Sequence, residues 1–179
     1  AEALLERVGP GGRVIGIDRD PSALAFARER LTRFGDRFVP LLGDHRNIVE
    51  ILHAADVVVV DAVLADLGIS SLQLDDPARG FAFSSDGPLD MRMSGEGETA
   101  AERIRRLSER ELADEIFQYG EERFSRPIAR ALKQDGPETT LAAAESVKRA
   151  VPRKAWPKGI HVATRTFQAL RIFVNEELD

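Results

Sequence analysis

Three short apolar runs, with helical patterns between them, constrain the fold of the first part of this chain more than any other feature. The runs cover residues 13–18, 38–42 and 57–67. Continuous apolar strands that alternate with helices are typical of a parallel sheet covered on both faces. The sequence therefore predicts an α/β fold for this part. Because only three strands are evident, we expect either an unusual fold or missing strands.

The strand signals end near Leu74, and the rest of the chain has helical patterns. Ser108 and Glu111 have the spacing of a capping box, and Thr140 is a candidate N-cap for a helix that begins at Leu141. Helical periodicity covers residues 99–107, 108–118, 124–133, 141–150 and 164–178. The sequence therefore predicts a change from an α/β region to a helical region near Leu74.

The absence of cysteine from the 179 residues excludes several kinds of site. Disulfides, thiolate zinc sites and cysteine nucleophiles are ruled out, which suits a reducing cytoplasm. The histidines His45, His53 and His161 are too few for a histidine-only cluster, so we predict no metal site. No apolar run approaches the roughly 20 residues of a membrane span, and residues 1–10 do not resemble a signal peptide. We therefore expect a cytoplasmic protein.

The net charge of -5 conceals an uneven distribution along the chain. Residues 103–171 contain 15 Lys and Arg against 9 Asp and Glu, and residues 148–171 contain seven basic residues and no acidic one. Trp156, His161 and Phe167 lie within that last stretch. Such a field favours a polyanion such as nucleic acid. A solvated helix face is the alternative, and charge alone does not decide between them.

Two aspartates follow predicted strands. Asp18 ends the first strand, at the edge where open α/β sheets bind ligands, and a carboxylate there commonly accepts hydrogen bonds from ribose hydroxyls. Asp66 ends the third strand, next to Gly68 and two serines. Together they would frame one pocket, although a turn aspartate or a helix cap explains a single such residue equally simply.

An irregular segment between the two parts is rich in Gly, Pro, Asp and Arg. Long irregular loops are usually functional or disordered, and this one has too many apolar residues for a linker. We expect Met91 and Met93 to pack within the protein. Arg92 is a candidate for binding phosphate or, alternatively, for pinning the loop to an aspartate.

Five ordered sequence blocks resemble one known family. They are DLGISSLQLDD at 66–76, RGF at 79–81, DGPLDMRM at 86–93, YGEERF at 119–124 and ATRTFQALRI at 163–172. The chain is similar to the bacterial RsmH/MraW family, the S-adenosylmethionine-dependent cytosine-N4 methyltransferases of small-subunit ribosomal RNA. The resemblance runs through nearly the whole chain.

The resemblance implies a Rossmann-like methyltransferase sheet that is interrupted by an inserted all-helical domain. On that basis residues 1–74 form a partial methyltransferase domain, 75–163 a helical substrate-recognition insert, and 164–179 a helix that returns to the first domain. The family's glycine-rich methionine loop and its last strands have no counterpart here, so we expect this chain to be the middle of an enzyme. Val162 and Pro127 stand where the family usually has a proline and a basic residue.

The resemblance also implies roles for individual residues. Asp18 would bind the cofactor ribose, His45 stands beside the adenine where the family often has an aromatic residue, and Asp66 and Gln73 would complete the S-adenosylmethionine site. We predict that Asp66, with Ser70 or Ser71, accepts hydrogen bonds from the cytosine amine and favours its attack.

The expected partner is small-subunit ribosomal RNA or the assembled subunit, without a membrane. An unstacked cytidine would stack on Phe81 or Phe83. The candidate RNA-binding residues are Arg79, Phe81, Arg92, Arg123, Arg126, Lys154, Lys158 and His161. Two alternatives stay open: an RNA- or ribosome-binding fragment without catalysis, and a nicotinamide-dependent oxidoreductase that uses Asp18 for ribose.

Overall fold

The computed structural model describes residues 1–66 and 68–178, and these divide into two compact units, 1–66 and 67–179. Each unit is described by itself. Leu67, the last residue of the predicted third strand, and Asp179, the last residue of the predicted returning helix segment, lie outside the described residues.

The first unit is built around one βαβ crossover. Strand β1 (Val14–Asp18) pairs in parallel with β2 (Phe38–Leu42), so that Asp18 lies opposite Leu42. Helix α2 (Pro21–Arg30) connects the strands and packs on both. Asp20 caps this helix by accepting a hydrogen bond from the Ser22 amide at 2.9 Å. Helices α1 (Glu2–Arg7) and α3 (Ile48–Ala54) complete the unit.

The prediction of a third strand at 57–67 is wrong for the residues that the structure describes. Residues 57–66 form no strand, and Val58 and Val59 are 83 % and 82 % exposed. An extended segment has no hydrogen bonds of its own and forms a strand only beside a partner. Among the described residues, β1 pairs with β2 and with no other strand. Asp66 therefore lies in an irregular segment instead of ending a strand.

The second unit is helical, and all five predicted helices are confirmed. They are α5 (Ala100–Arg106), α6 (Glu109–Gly120), α7 (Ser125–Asp135), α8 (Thr140–Ala150) and α9 (Thr164–Asn175), preceded by the short α4 (Ser71–Asp75). Ser108 and Glu111 form the predicted capping box at the start of α6. Helix α6 packs on α7 and α9, and α7 packs on α8.

The helical core requires one close backbone approach, where the end of α6 meets α9. A Cβ at Gly120 would lie 2.5 Å from the carbonyl oxygen of Arg165 and 3.1 Å from the Cβ of Ala169. Only glycine fits at this crossing. The large, fully buried side chains of this unit come from several helices and from the loop before α5, and include Leu89, Met91, Ile104, Leu112, Ile116, Ile128, Leu132, Val147 and Leu170.

Two predicted helix ends need correction. Thr139 caps α8, whereas Thr140, the predicted cap, is buried; its hydroxyl donates to the Ser85 carbonyl at 3.0 Å. The preceding loop covers Thr140, and the half-buried Thr139 caps the helix by accepting a hydrogen bond from the Ala142 amide at 3.4 Å. Helix α9 ends at Asn175 and not at Leu178, because Glu176 adopts a left-handed conformation with φ of 50°.

Helix α9 contacts α6 and α5, so its packing lies within the second unit. The division at Asp66 differs from the predicted boundaries at 74/75 and 163/164. The predicted return of residues 164–179 to a methyltransferase sheet stays a prediction. No helix in the described part of the chain is both long enough and apolar enough to cross a membrane.

Candidate functional site

The carboxyl ends of β1 and β2 each carry an aspartate. Asp18 ends β1 and is exposed, and its Oδ1 accepts a hydrogen bond from the Asp20 amide at 2.8 Å. This contact holds the carboxylate at the turn into α2. Asp44 follows β2 after one glycine. The sequence interpretation missed Asp44, although its place after a strand is the same signal that singled out Asp18.

Asp44 contacts three basic side chains. Arg19 and Arg46 lie 3.2 Å and 3.0 Å from its Oδ2, and His45 Nδ1 lies 3.4 Å from its Oδ1. Partial burial acts to raise the pKa of the Asp44 carboxyl. Hydrogen bonds from Arg46 and the charges of Arg19 and Arg46 together outweigh this effect and lower the pKa to about 2. Since both arginines pair with Asp44, Asp18 is the better placed of the two carboxylates to accept hydrogen bonds from the hydroxyl groups of a ligand.

The remaining predicted cofactor and catalytic residues fall on both units. Asp66 is exposed in the first unit, while Ser70, Ser71 and Gln73 belong to the second. Ser70 and Gln73 form a capping box at α4: the Ser70 hydroxyl accepts from the Gln73 amide at 3.3 Å, and Gln73 Oε1 accepts from the Ser70 amide at 3.0 Å. Their Ser-x-x-Gln spacing predicts this helix start, but the sequence interpretation missed it.

The predicted framing of one pocket by Asp18 and Asp66 relied on two neighbouring strands, and that basis is wrong because the described residues of the second run, 57–66, form no strand. The functional roles of Asp66, Ser70, Ser71 and Gln73 stay predictions.

The loop before α5 is fixed by three helices. Its Asp90 and Leu89 carbonyls accept from the amides of Ala100 and Ala101, at 2.8 Å and 3.0 Å, and so satisfy the start of α5. The Gly87 carbonyl accepts from the Thr140 amide at 2.9 Å at the start of α8. The predicted packing of Met91 and Met93 is confirmed, since they are 0 % and 6 % exposed.

Asn175 ties the same loop to α9. Its Nδ2 donates to the Met91 carbonyl at 2.7 Å, and its Oδ1 accepts from the Met93 amide at 2.8 Å. Met91 lies in the left-handed region, with φ of 64°, which a side-chain-bearing residue rarely adopts. The two hydrogen bonds of Asn175 hold the backbone at the Met91 carbonyl and at the Met93 amide. The sequence interpretation missed Asn175, because no local pattern reveals a contact 82 or 84 residues away.

The arginines of the loop bind the protein itself. Arg79 Nη2 donates to the carbonyls of Arg92 and Met93, at 3.1 Å and 2.8 Å. Arg92 grips Asp90 with two bonds of 2.8 Å and 2.7 Å. Partial burial raises the pKa of the Asp90 carboxyl, but the bonds from Arg92 outweigh it and lower the pKa. The pinning of the loop, one of the two alternatives for Arg92, is therefore confirmed; RNA binding by Arg79 and Arg92 stays a prediction.

Two groups of basic residues in the second unit differ in their partners. The first group forms ion pairs within the protein and includes Arg105 with Glu138, Arg106 with Glu98, Arg130 with Glu109, Lys148 with Glu145 and Arg149 with Asp135. The second group is exposed and has no acidic partner within the described residues; it includes Arg123, Arg126, Arg153, Lys154 and Lys158. Four of the predicted RNA-binding residues belong to this unpaired group.

The predicted aromatic contacts differ in accessibility. Phe81 is 6 % exposed, and the guanidinium of Arg79 lies 5.8 Å from its ring centroid. Phe83 is half-buried, and His161, also a predicted RNA-binding residue, is exposed. Phe83 therefore presents more of its ring to solvent than Phe81. Within residues 1–66 and 68–178, no group of three His, Cys, Asp or Glu residues is arranged to hold a metal ion.

The first unit has an α/β fold, and the carboxylate of Asp18 lies at the carboxyl end of β1, where such folds bind ribose-containing ligands. Comparison with known proteins makes the class specific: all 179 residues match the profile of the MraW methylase family. The chain belongs to this family.

Several curated relatives carry the same name, "Ribosomal RNA small subunit methyltransferase H". The chain is 58 % identical to the one from Myxococcus xanthus (strain DK1622) and 54 % identical to the one from Anaeromyxobacter sp. (strain Fw109-5). It is 50 % identical to the one from Geobacter sulfurreducens (strain ATCC 51573 / DSM 12127 / PCA). These matches cover 99–100 % of this chain but 57–59 % of the length of the three relatives.

Proposed function

We propose that this chain is part of an S-adenosylmethionine-dependent methyltransferase that methylates the exocyclic N4 of a cytidine in the decoding region of small-subunit ribosomal RNA. Family membership over the whole chain carries the proposal. Because the proposed substrate is ribosomal RNA, the proposed location of the enzyme is the cytoplasm. In the proposed full-length fold, a Rossmann-like sheet is interrupted by a helical insert, and residues 164–179 return to the sheet.

The chemistry of Asp18 fits the ribose of the cofactor. An exposed carboxylate at the carboxyl end of a parallel strand accepts hydrogen bonds from two vicinal hydroxyls, and the Asp20 amide already fixes its orientation. The His45 side chain, 42 % exposed, lies at the corresponding end of β2, where it offers a flat surface to an adenine. When bound, S-adenosylmethionine supplies an electrophilic methyl group.

The role of the protein in catalysis is to align the cytosine amine with the methyl group, without forming a covalent bond to either. The amine of cytosine is weakly nucleophilic because its lone pair is conjugated with the ring. We assign to Asp66, and then to Ser70 or Ser71, the role of accepting hydrogen bonds from this amine, which orients its lone pair for attack. The proton is lost after transfer, so no strong base is needed.

Calorimetric titration with S-adenosylmethionine tests the cofactor assignment. We expect Asp18→Ala to weaken binding at least about 10-fold, since it removes the acceptor for two hydroxyls. Asp36→Ala, a change of an exposed aspartate in the same unit, is the matched control and keeps wild-type affinity. Tight binding of a nicotinamide dinucleotide in place of S-adenosylmethionine would support the oxidoreductase alternative.

Transfer of a labelled methyl group to small-subunit RNA tests the catalytic assignment. Asp66→Ala is expected to reduce methyl transfer even at saturating S-adenosylmethionine, because it removes an acceptor for the cytosine amine. Full methylation by this variant, with unchanged cofactor affinity, would remove Asp66 from the mechanism.

The unpaired cations are proposed to contact RNA phosphates. Replacing Lys154 and Lys158 by alanine should reduce the slope of log affinity against log salt by about 0.7 for each residue on single-stranded RNA. Arg105→Ala with Arg106→Ala removes the same charge from residues that are ion-paired within the protein, and it should leave the slope nearly unchanged. Equal effects of the two pairs would favour a merely solvated surface.

A second candidate function is RNA binding without catalysis. The complete helical core of the second unit and the unpaired segment 57–66 of the first favour it for this chain. RNA binding without detectable S-adenosylmethionine binding would support this alternative and leave family membership unaffected.

A further inference from the structure

Three aromatic rings of the second unit form a row from the core to the surface. Phe167 is 4 % exposed, Phe83 is half-buried and His161 is exposed. The centroids of Phe83 and Phe167 lie 4.8 Å apart in an edge-to-face contact. Those of Phe83 and His161 lie 4.7 Å apart, with their planes tilted by 33°. The row therefore ends at the surface in an imidazole that is stacked on another aromatic ring.

Backbone contacts hold the outer part of this row in place. His161 Nδ1 accepts a hydrogen bond from the Ala163 amide at 3.2 Å, and the His161 carbonyl accepts from the Thr164 amide at 3.0 Å. Because Nδ1 accepts, the neutral ring carries its proton on Nε2, which is then free to donate to a ligand. Two residues after Phe83, the Ser85 carbonyl accepts from the Thr140 hydroxyl. Rings fixed in this way lose little conformational entropy when a ligand stacks on them.

Unpaired cations precede His161 along the chain. Lys154 and Lys158 are exposed and have no acidic partner within the described part of the chain. Glu145, an acidic residue of α8, is bound by Lys148 at 2.7 Å. Single-stranded nucleic acids are bound by such a combination, since bases stack on aromatic rings while cations contact the phosphates.

We propose that Phe83 and His161 form a stacking platform for one unpaired base of RNA, with Lys154 and Lys158 contacting the neighbouring phosphates. This inference rests on the proposed RNA substrate and specifies how part of it is held. The ligand is single-stranded, because the bases of a duplex are stacked on one another and do not present a free face.

Two substitutions of His161 separate stacking from a structural role. His161→Asn keeps an acceptor for the Ala163 amide but removes the ring, whereas His161→Phe keeps a ring and removes the acceptor. We expect the asparagine variant to bind short, unstructured RNA about 10-fold more weakly and the phenylalanine variant to bind within about 3-fold of wild type. Oligouridylate with a central 2-aminopurine is the probe, because stacking quenches its fluorescence. Phe117→Leu, a change of a 59 % exposed ring on α6, is the control and should have no effect.

An oligonucleotide with abasic residues at its centre separates stacking from charge. The wild-type protein should bind it about 10-fold more weakly than intact RNA. Equal affinity for both would overturn the platform and leave the proposed RNA substrate standing, whereas binding to neither would overturn both. Weak binding by the phenylalanine variant, with normal binding by the asparagine variant, would show that His161 has only a structural role and would also overturn the platform.

Discussion

The two units of this chain differ in how completely they bury their apolar residues. The second unit has a continuous core, drawn from its helices and from the loop that precedes α5. The buried hydrophobic cluster of the first unit consists of Leu5, Leu31 and Phe38, while the apolar residues of 57–66 are exposed. The first unit is the more apolar of the two in sequence, so composition does not explain the difference.

The difference follows from how helices and strands satisfy their backbones. A helix forms its hydrogen bonds within itself and needs a neighbour only for its apolar face. A strand needs a neighbour for its hydrogen bonds as well, and a parallel neighbour is distant in sequence. The helical unit therefore reaches a buried core with nearby segments, whereas segment 57–66 keeps an apolar surface that has no strand beside it in the described residues.

The largest expected difference between the units comes from one chemical change made in each. Leu112→Ala, at a fully buried position of α6, should lower the free energy of unfolding by about 3 kcal/mol. Leu64→Ala, at a position 75 % exposed in the first unit, should change it by less than about 0.5 kcal/mol. Urea denaturation followed by circular dichroism measures both, and the fluorescence of Trp156, the single tryptophan, reports on the second unit. Equal losses would contradict the comparison.

The loop of the second unit depends on Asn175. Asn175→Ala should lower the free energy of unfolding by about 2 kcal/mol, because it leaves the Met91 carbonyl and the Met93 amide without their partner. Asn47→Ala, an exposed position whose side chain forms no cap, is the matched control and should be nearly neutral. Faster hydrogen exchange at the Met93 amide would locate the effect, and unchanged exchange there would argue against it.

The first unit has a smaller, pH-dependent contribution from Asp44. Its carboxyl pKa is about 2 against an ordinary 3.8, so its ion pairs stabilise the folded unit above pH 4 and are lost as the pH falls from about 4 to 2. The contribution is on the order of 1 kcal/mol after screening by solvent. Asp44→Asn should flatten the acid limb of the stability profile relative to Asp36→Asn. An unchanged acid limb would mean that other carboxyls control it.

The smallest effect on stability is expected from Val58→Ser with Val59→Ser. Both side chains are more than four-fifths exposed, so the free energy of unfolding should change by less than about 0.5 kcal/mol. Binding of a dye that reports exposed apolar surface should nevertheless decrease. A clear loss of stability would show that this segment is buried in solution, and the contrast between the units would then disappear.

Local signals predicted most of the secondary structure. Strand β2 has the predicted bounds, and β1 begins one residue later than expected. Ser108 and Glu111 predicted the start of α6. These predictions succeeded because caps and short apolar runs act within a few residues. The third strand failed because its pairing partner is not a local property of the sequence.

The candidate site was only partly predictable for the same reason. Asp18 was found from its place after a strand, and its position at the carboxyl end of β1 is as expected. The ion pair of Asp44 with Arg19 joins the ends of two strands, and the hydrogen bonds of Asn175 connect residues more than 80 positions apart. Neither pairing leaves a pattern in a single sequence.

The sequence by itself determined the α/β beginning, the helical remainder, the packing of the two loop methionines and the family resemblance, because each depends on short-range patterns or on contiguous motifs. The tertiary structure decided which charged groups are taken up within the protein and which remain exposed. It directed Arg92 to Asp90 and left Lys154 and Lys158 without acidic partners among the described residues. The sequence gives the number and the sign of the charges, but which of them form ion pairs depends on distances that only the folded chain sets.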